Sequence, residues 1–298
     1  MKEVAIVGPT ASGKSALAIE VAQRTDAYIL SIDSLSIYKE IDIVSAKPSR
    51  EELAQVRHFG IDVLKPDEYF SIERFIPIYQ EAKRAAQADE KNLIIVGGTV
   101  FYLKTLLSGL SPMPLPNEEA IQKSKELLRD LPKAYEFLNR IDPEFTAKIT
   151  KSDRYRIEKG LLLYFSTGEK PSDYFRLHPP KPIIKELPIF NIHIDRSELR
   201  KRVKQRTYQM IEAGLIDEIY GLEKKYTRKP NPMKAIGIKE TLEYLDGKVD
   251  LQELYESIVN HTMQLAKRQR TFIRSQLPQA VNIGSEDVAV VAQALKPA

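Results

Sequence analysis

Short apolar runs alternate with helical patterns over the first 110 residues. Val4-Ala5-Ile6-Val7 is an unbroken apolar run, as a strand buried on both faces requires. A glycine-rich turn follows it, then apolar residues at helical spacing to about residue 24. Ala27-Tyr28-Ile29-Leu30-Ser31-Ile32 reads as a second strand and Leu93-Ile94-Ile95-Val96 as a third, the latter ending in Gly97-Gly98. A helix is expected between them, from an N-cap at Ser71 to Asp89. Strands separated by helices in this way define βαβ units and a parallel sheet.

The pattern then changes. Residues 112–178 read as helical, with Pro116-Asn117 and Asp142-Pro143 as helix starts and Gly168 as a C-terminal cap. A Pro-rich stretch over 179–190 leads into Ile189-Phe190-Asn191-Ile192-His193-Ile194-Asp195, which alternates like a strand. Long helices fill 196–274, and the last dozen residues read as a tail with no pattern. The expected architecture is α/β: a parallel sheet core over 1–111 and 189–298, interrupted by a helical lobe over 112–188.

Composition removes several chemistries. Among 298 residues there is no Cys, which excludes disulfides, a thiolate nucleophile and cysteine-held zinc or iron. The four histidines, His58, His178, His193 and His261, are too scattered for a local metal motif. No run approaches the ~18 apolar residues of a membrane span, and no leader peptide is visible, so a cytoplasmic chain without membrane contact is expected. The net charge is only +4, yet residues 196–274 hold 17 Lys/Arg against 11 Asp/Glu. That asymmetry points to an anionic partner on the C-terminal part.

Residues 8–15 read Gly8-Pro9-Thr10-Ala11-Ser12-Gly13-Lys14-Ser15 and match G-x-x-x-x-G-K-[ST] in full, between a strand and a helix. The two glycines let successive N–H groups face a phosphate, and the helix N-terminus favours negative charge. Lys14 adds a point charge, and the Ser15 hydroxyl suits Mg²⁺. The loop says polyphosphate; ATP is one candidate among several.

Ligands of an open parallel sheet lie beyond the strands' C-terminal ends. Asp33, Thr99 and Asp195 fall there, as a general base, a magnesium partner, or merely helix and turn caps. The third strand lacks the terminal Asp that ordinary NTP hydrolysis uses, and Thr150-Lys151-Ser152-Asp153, though it resembles a guanine-reading motif, follows no strand. Arg202, Arg206 and Met210 are spaced four apart and share one helix face, so two guanidiniums can reach one polyphosphate. Between Glu256 and Glu286 there is no acid, while Lys267, Arg268, Arg270 and Arg274 surround Phe272. Such a segment suits an RNA backbone with some stacking, or a solvated helix face.

With these segments assembled, the sequence resembles the bacterial tRNA dimethylallyltransferases (tRNA isopentenyltransferases) from the phosphate loop to about Arg274. The resemblance rests on the order of GPTASGKS, Asp33-Ser34 with Tyr38, Ala46-Lys47-Pro48, Ile61-Asp62 with Pro66, and Gly97-Gly98-Thr99 with Tyr102-Leu103. It continues through Asp153 with Arg156-Ile157, Thr167-Gly168, Arg202/Arg206/Met210/Gly214-Leu215, Ala235-Ile236-Gly237 with Lys239-Glu240, and Ala266-Lys267-Arg268-Gln269. Departures include Ser36 for a usual Gln, Val44-Ser45 for Gly-Thr, Arg57 for His, Val100 for Gly, Met263 for Arg and Phe272 for Trp.

The resemblance implies transfer of a dimethylallyl group from dimethylallyl diphosphate to N6 of the adenosine beside the anticodon, in tRNAs reading codons that begin with U. It implies catalysis by Asp33 as general base, with Thr10, Lys14 and Arg206 on the leaving diphosphate and Mg²⁺ at Ser15. The diphosphate would occupy residues 8–15. Asp33, Ser34, Leu35, Ser36 and Thr99 would meet the base. Arg156, Lys267, Arg268, Arg270 and Arg274 would hold the anticodon stem-loop. A monomer without an obligate protein partner is expected. A small-metabolite kinase using ATP, an adenylate prenyltransferase and a non-catalytic RNA-binding protein are the competing readings.

Overall fold

The computed structural model describes residues 1–296, and its sheet has six strands, all parallel, in the order β3-β2-β4-β1-β5-β6. These are β1 (Glu3–Val7), β2 (Ala27–Ser31), β3 (His58–Phe59), β4 (Asn92–Gly97), β5 (Ile189–Ile192) and β6 (Val281–Ile283). β1 lies between β4 and β5, and Val4 to Val7 are completely buried, which is why that run carries no polar alternation. The third expected strand is the fourth observed, because two-residue β3 is too short to leave a pattern. The late strand stops at Ile192 rather than Asp195.

Helices α1 (Lys14–Thr25), α2 (Arg50–Gln55), α3 (Ile72–Ala88) and α4 (Val100–Ser108) accompany the first four strands. Ser71 precedes α3 as expected, although its side chain makes no capping hydrogen bond. Then come α5 (Glu118–Leu127), α6 (Leu131–Ile141), α7 (Pro143–Thr146), α8 (Arg154–Thr167) and α9 (Pro171–Leu177). Asn117 and Asp142 cap α5 and α7 through side-chain oxygens, and Gly168 ends α8 in the left-handed conformation. Asp153, the end of the TKSD sequence, accepts from the Arg156 amide and caps α8.

The chain forms two units, one of residues 1–105 and 184–298 and one of residues 106–183. The division falls inside α4 and after Ile183. In the smaller unit Leu128, Ala134, Leu138, Ile157 and Leu161 form a separate apolar core.

The larger unit is completed by α10 (Arg196–Glu212), α11 (Leu215–Tyr226), a 3₁₀ turn (Asn231–Lys234), α12 (Ile238–Leu245), α13 (Leu251–Gln276) and α14 (Val288–Leu295). Gly214 joins α10 to α11 at φ 98°, a turn that side-chain-bearing residues resist. Asp250 and Glu253 form a reciprocal capping box that starts the 26-residue α13. The C-terminal segment is not a patternless tail. Val288, Val291, Ala292 and Leu295 recur at helical spacing and bury against α1 and the sheet, Val291 and Leu295 each worth roughly 1.5–3 kcal/mol. That spacing was visible, but only eight residues carry it.

Candidate active site

The phosphate loop leaves β1 and enters α1 through Gly13, whose φ of 94° places its backbone where a β-carbon would be strained. Arg202 Nη1 reaches the Ser12 carbonyl at 3.4 Å, while its Nε pairs with Glu198 at 3.0 Å. Lys14 is buried and donates to the Pro9 carbonyl at 2.6 Å. Burial, and then the neighbouring Arg206 guanidinium, pull its ammonium down to about 8 against the opposing pull of Asp33. Ser15 is exposed on the first turn of α1.

Arg206 projects from α10 to the same place. Its Nη1 lies 3.4 Å from Thr10 Oγ1 and its Nη2 3.5 Å from the Ser45 carbonyl. Its Nε is closed off from solvent and has no partner among the described residues. Burial lowers its pKa, with Asp33 opposing. Lys14, Arg202 and Arg206 thus gather at the loop, each held by a carbonyl or hydroxyl of it.

Asp33 follows β2. Its Oδ1 accepts from the amides of Leu35 at 2.8 Å and Ser36 at 3.2 Å, so the turn-capping role holds for this oxygen. Thr99 stands before α4, and its Oγ1 accepts from the Ser34 amide at 3.2 Å, tying together the ends of β2 and β4. Asp195 precedes α10 without a capping bond from its side chain.

Two cavities meet here. One, about 600 Å³, is floored by residues 10–15 and walled by Ser31, Ser36, Ala46, Lys47, Pro48 and His58. The other, about 590 Å³, is lined by Ser34, Leu35, Thr99, Met210, Ile236 and the aromatic group Tyr38, Phe70 and Tyr102. Tyr102 stacks on Phe75 at 5.0 Å and meets Phe70 edge-on at 5.4 Å. Thr10, Asp33, Ser45, Gly98, Arg206 and Gln269 line both cavities and form the neck between them.

In the sequence Gln269 is one residue of a basic segment. In the structure its Oε1 accepts from the Thr10 amide at 2.8 Å and its Nε2 donates to the Gly98 carbonyl at 3.1 Å. It clamps the phosphate loop to the end of β4. Ser45 and Phe70 carry no local signal as site residues, and Tyr38 and Tyr102 enter the sequence pattern only beside Asp33-Ser34 and Gly97-Gly98-Thr99, without a role. Lys267, Arg268 and Arg274 are exposed along α13. Arg270 differs: its guanidinium donates to the Ile194 carbonyl and holds α13 to the segment after β5. Ser36 also differs from a base-contacting position. It is buried, with Oγ 3.1 Å from Ser31 Oγ, and faces the phosphate-side cavity. Arg156 lies in the smaller unit, paired with Asp153 at 3.1 Å.

Because the folded-state pKa of Lys14 is about 8 rather than 10.5, its ammonium burdens the fold below pH 8, and stability recovers between 8 and 10.5. Binding has the opposite sign, since a phosphate anion needs the charged form. Pyrophosphate affinity is expected to fall as pH rises from about 7 to 9, more steeply in the native chain than in Lys14→Met. Parallel calorimetric profiles for the two would remove Lys14 from the binding site.

The glycine-rich loop, with Lys14, Arg202 and Arg206 beside it, opens through a neck at Asp33 onto a second chamber, so two binding spaces lie side by side. The IPP transferase model matches residues 36–276, and the chain belongs to that family. The tRNA dimethylallyltransferase of Sulfurovum sp. (strain NBC37-1) is 56% identical over 282 residues, covering 94% of each chain. That of Helicobacter pylori (strain J99 / ATCC 700824) is 43% identical over 275 residues, 92% of this chain and 88% of the other. Among solved structures, the full-length tRNA isopentenylpyrophosphate transferase of Bacillus halodurans superposes with a TM-score of 0.71 at 28% identity, covering 99% of this chain and 96% of that one. A eukaryotic dimethylallyltransferase acting on tRNA gives a TM-score of 0.80 at 27% identity, covering 97% and 75%. Among the described residues no helix is long and apolar enough to cross a membrane.

Proposed function

We propose that the chain transfers a dimethylallyl group from dimethylallyl diphosphate to N6 of the adenosine beside the anticodon, in tRNAs whose codons begin with U. The observation that carries this reading is the neck. A diphosphate on the phosphate loop and a purine in the aromatic-walled chamber would meet there, beside Asp33. In the second chamber the wall of Tyr38, Phe70 and Tyr102 suits a flat base and a hydrocarbon, with Thr99 and Asn231 as polar groups beside it.

In this reading the adenine must leave its stack to enter the chamber. Its amine nitrogen forms a bond to the allylic carbon as the carbon–oxygen bond to diphosphate breaks. The electron pair stays on the leaving oxygen, where Lys14, Arg206 and the loop amides stabilise it. Asp33 takes the amine proton. Among the described residues no cluster of three or more metal-ligating side chains occurs. The protein share of a Mg²⁺ site would be the exposed Ser15 hydroxyl, which fits an ion that keeps waters and takes phosphate oxygens. When bound, that ion would neutralise part of the diphosphate charge.

The test is incubation with radiolabelled dimethylallyl diphosphate and unmodified tRNA. Label in the RNA at that adenosine is expected; label wholly outside the RNA would overturn the reading. We also propose that Lys267, Arg268 and Arg274 of the larger unit hold the RNA backbone, and that Arg156 of the smaller unit meets RNA as well. Affinity for tRNA is then expected to fall steeply with salt. Replacing the three α13 residues together should reduce the slope of log K against log salt by about 2 to 3. An unchanged slope would leave them as a solvated face.

A further inference from the structure

Residues 42–47 form a tight turn beside the neck, with Ala46 at φ 47°, a left-handed conformation that a side chain disfavours. Such a turn persists only when its surroundings hold it. Two charged groups do so. Lys47, whose ammonium is almost wholly buried, donates to the Tyr38 carbonyl at 2.7 Å and to Asp42 and Asp62 at 2.6 Å each. From the other side, the Glu218 carboxylate of α11 accepts three successive backbone amides: Asp42 at 2.9 Å and Ile43 at 2.7 Å on Oε2, and Val44 at 3.1 Å on Oε1. The next residue is Ser45, whose carbonyl faces Arg206 Nη2.

We propose that Glu218 is a positioning residue for the diphosphate end of the reaction. Its carboxylate caps the amides of residues 42–44, this sets the Ser45 carbonyl, and that carbonyl orients Arg206. The chain of contacts is short, and each link is polar. Both of the guanidinium's protein contacts are long, at 3.4 and 3.5 Å, so its direction depends on where Thr10 and Ser45 stand. Glu218 itself lines neither cavity, which separates it from the groups that touch substrate.

The inference rests on the proposed diphosphate site, and its test is chosen to read that site without turnover. Inorganic pyrophosphate is titrated into the full chain by calorimetry, for the native protein, Glu218→Gln, Arg206→Ala and the double variant. In Glu218→Gln the amide group turns N–H toward N–H, so at least one capping bond is lost while shape is kept. A roughly tenfold loss of pyrophosphate affinity is expected in the native background. In the Arg206→Ala background the same change should cost less than twofold, since Glu218 then has nothing to orient. Equal losses in both backgrounds, or no loss in either, would overturn the proposal. Glu218→Asp, which keeps the charge, should recover part of the affinity, and a loss as large as in Glu218→Gln would also count against it. Thermal midpoints report whether each variant is folded. Failure of prenyl transfer by the native chain would instead overturn the functional reading, with the coupling between Glu218 and Arg206 still measurable.

Discussion

Replacing Asp33 with asparagine is expected to lower kcat by about 10²–10⁴ while leaving tRNA affinity within about threefold. Asparagine is the informative change because Oδ1 already serves the backbone, accepting from Leu35 and Ser36. The amide oxygen of asparagine can accept both bonds, so the turn after β2 stands and only the base is lost. Alanine removes both functions and confounds them. Rates under single turnover, with dimethylallyl diphosphate and tRNA saturating, isolate the chemical step from product release. Turnover of Asp33→Asn within about threefold of native would show that the amine proton leaves by another route. The aromatic wall and Thr99 would then define the base chamber without Asp33 acting in it.

Arg206→Ala should cost about 10²–10³ in kcat, the size seen when a preorganised donor to developing negative charge is removed. Its two Nη contacts are long, and the residue lines both cavities at the neck, where its charge can meet an anion. Lysine should not rescue it. An ammonium is a point charge on a flexible stem and cannot face Thr10 and Ser45 at once with a planar fork. Pyrophosphate affinity should fall with kcat, whereas tRNA affinity should stay, because the residue lies at the neck and not on the exposed face of α13. A kcat within twofold of native in Arg206→Ala would place the leaving group elsewhere on the loop, with Lys14 and Arg202 as its remaining cations.

Much of this arrangement was legible in the chain. The buried strands announced themselves as unbroken apolar runs, and the caps at Asn117, Asp142 and Gly168 fell where residue type alone put them. Arg202 and Arg206 could be assigned to one face from their spacing. Other parts were not legible for identifiable reasons. Strand β3 is two residues long, below any period. Helix α14 carries its pattern over eight residues at a chain end, where a tail is the ordinary expectation. Arg270 sits among three exposed basic residues and looks like them, yet its helical phase turns it inward to the Ile194 carbonyl. Ser36 shares the turn with Ser34 and Leu35, but it is buried against Ser31.

By itself, the sequence determined the strand, turn and helix that carry Gly8 to Ser15, because eight consecutive residues set that backbone locally. It also determined the sheet core and the placing of Asp33 at a strand's end. Only the tertiary structure decided the neck. Thr10 and Gln269 are 259 positions apart, and Arg206 meets Ser45 across 161. Contacts of that separation depend on which helix packs on which loop, a sum of many weak burial terms that no local spacing encodes. Glu218 is the clearest case. As a sequence it is one acid on an amphipathic helix; folded, it takes three amides 174 to 176 residues away and holds the turn that faces Arg206.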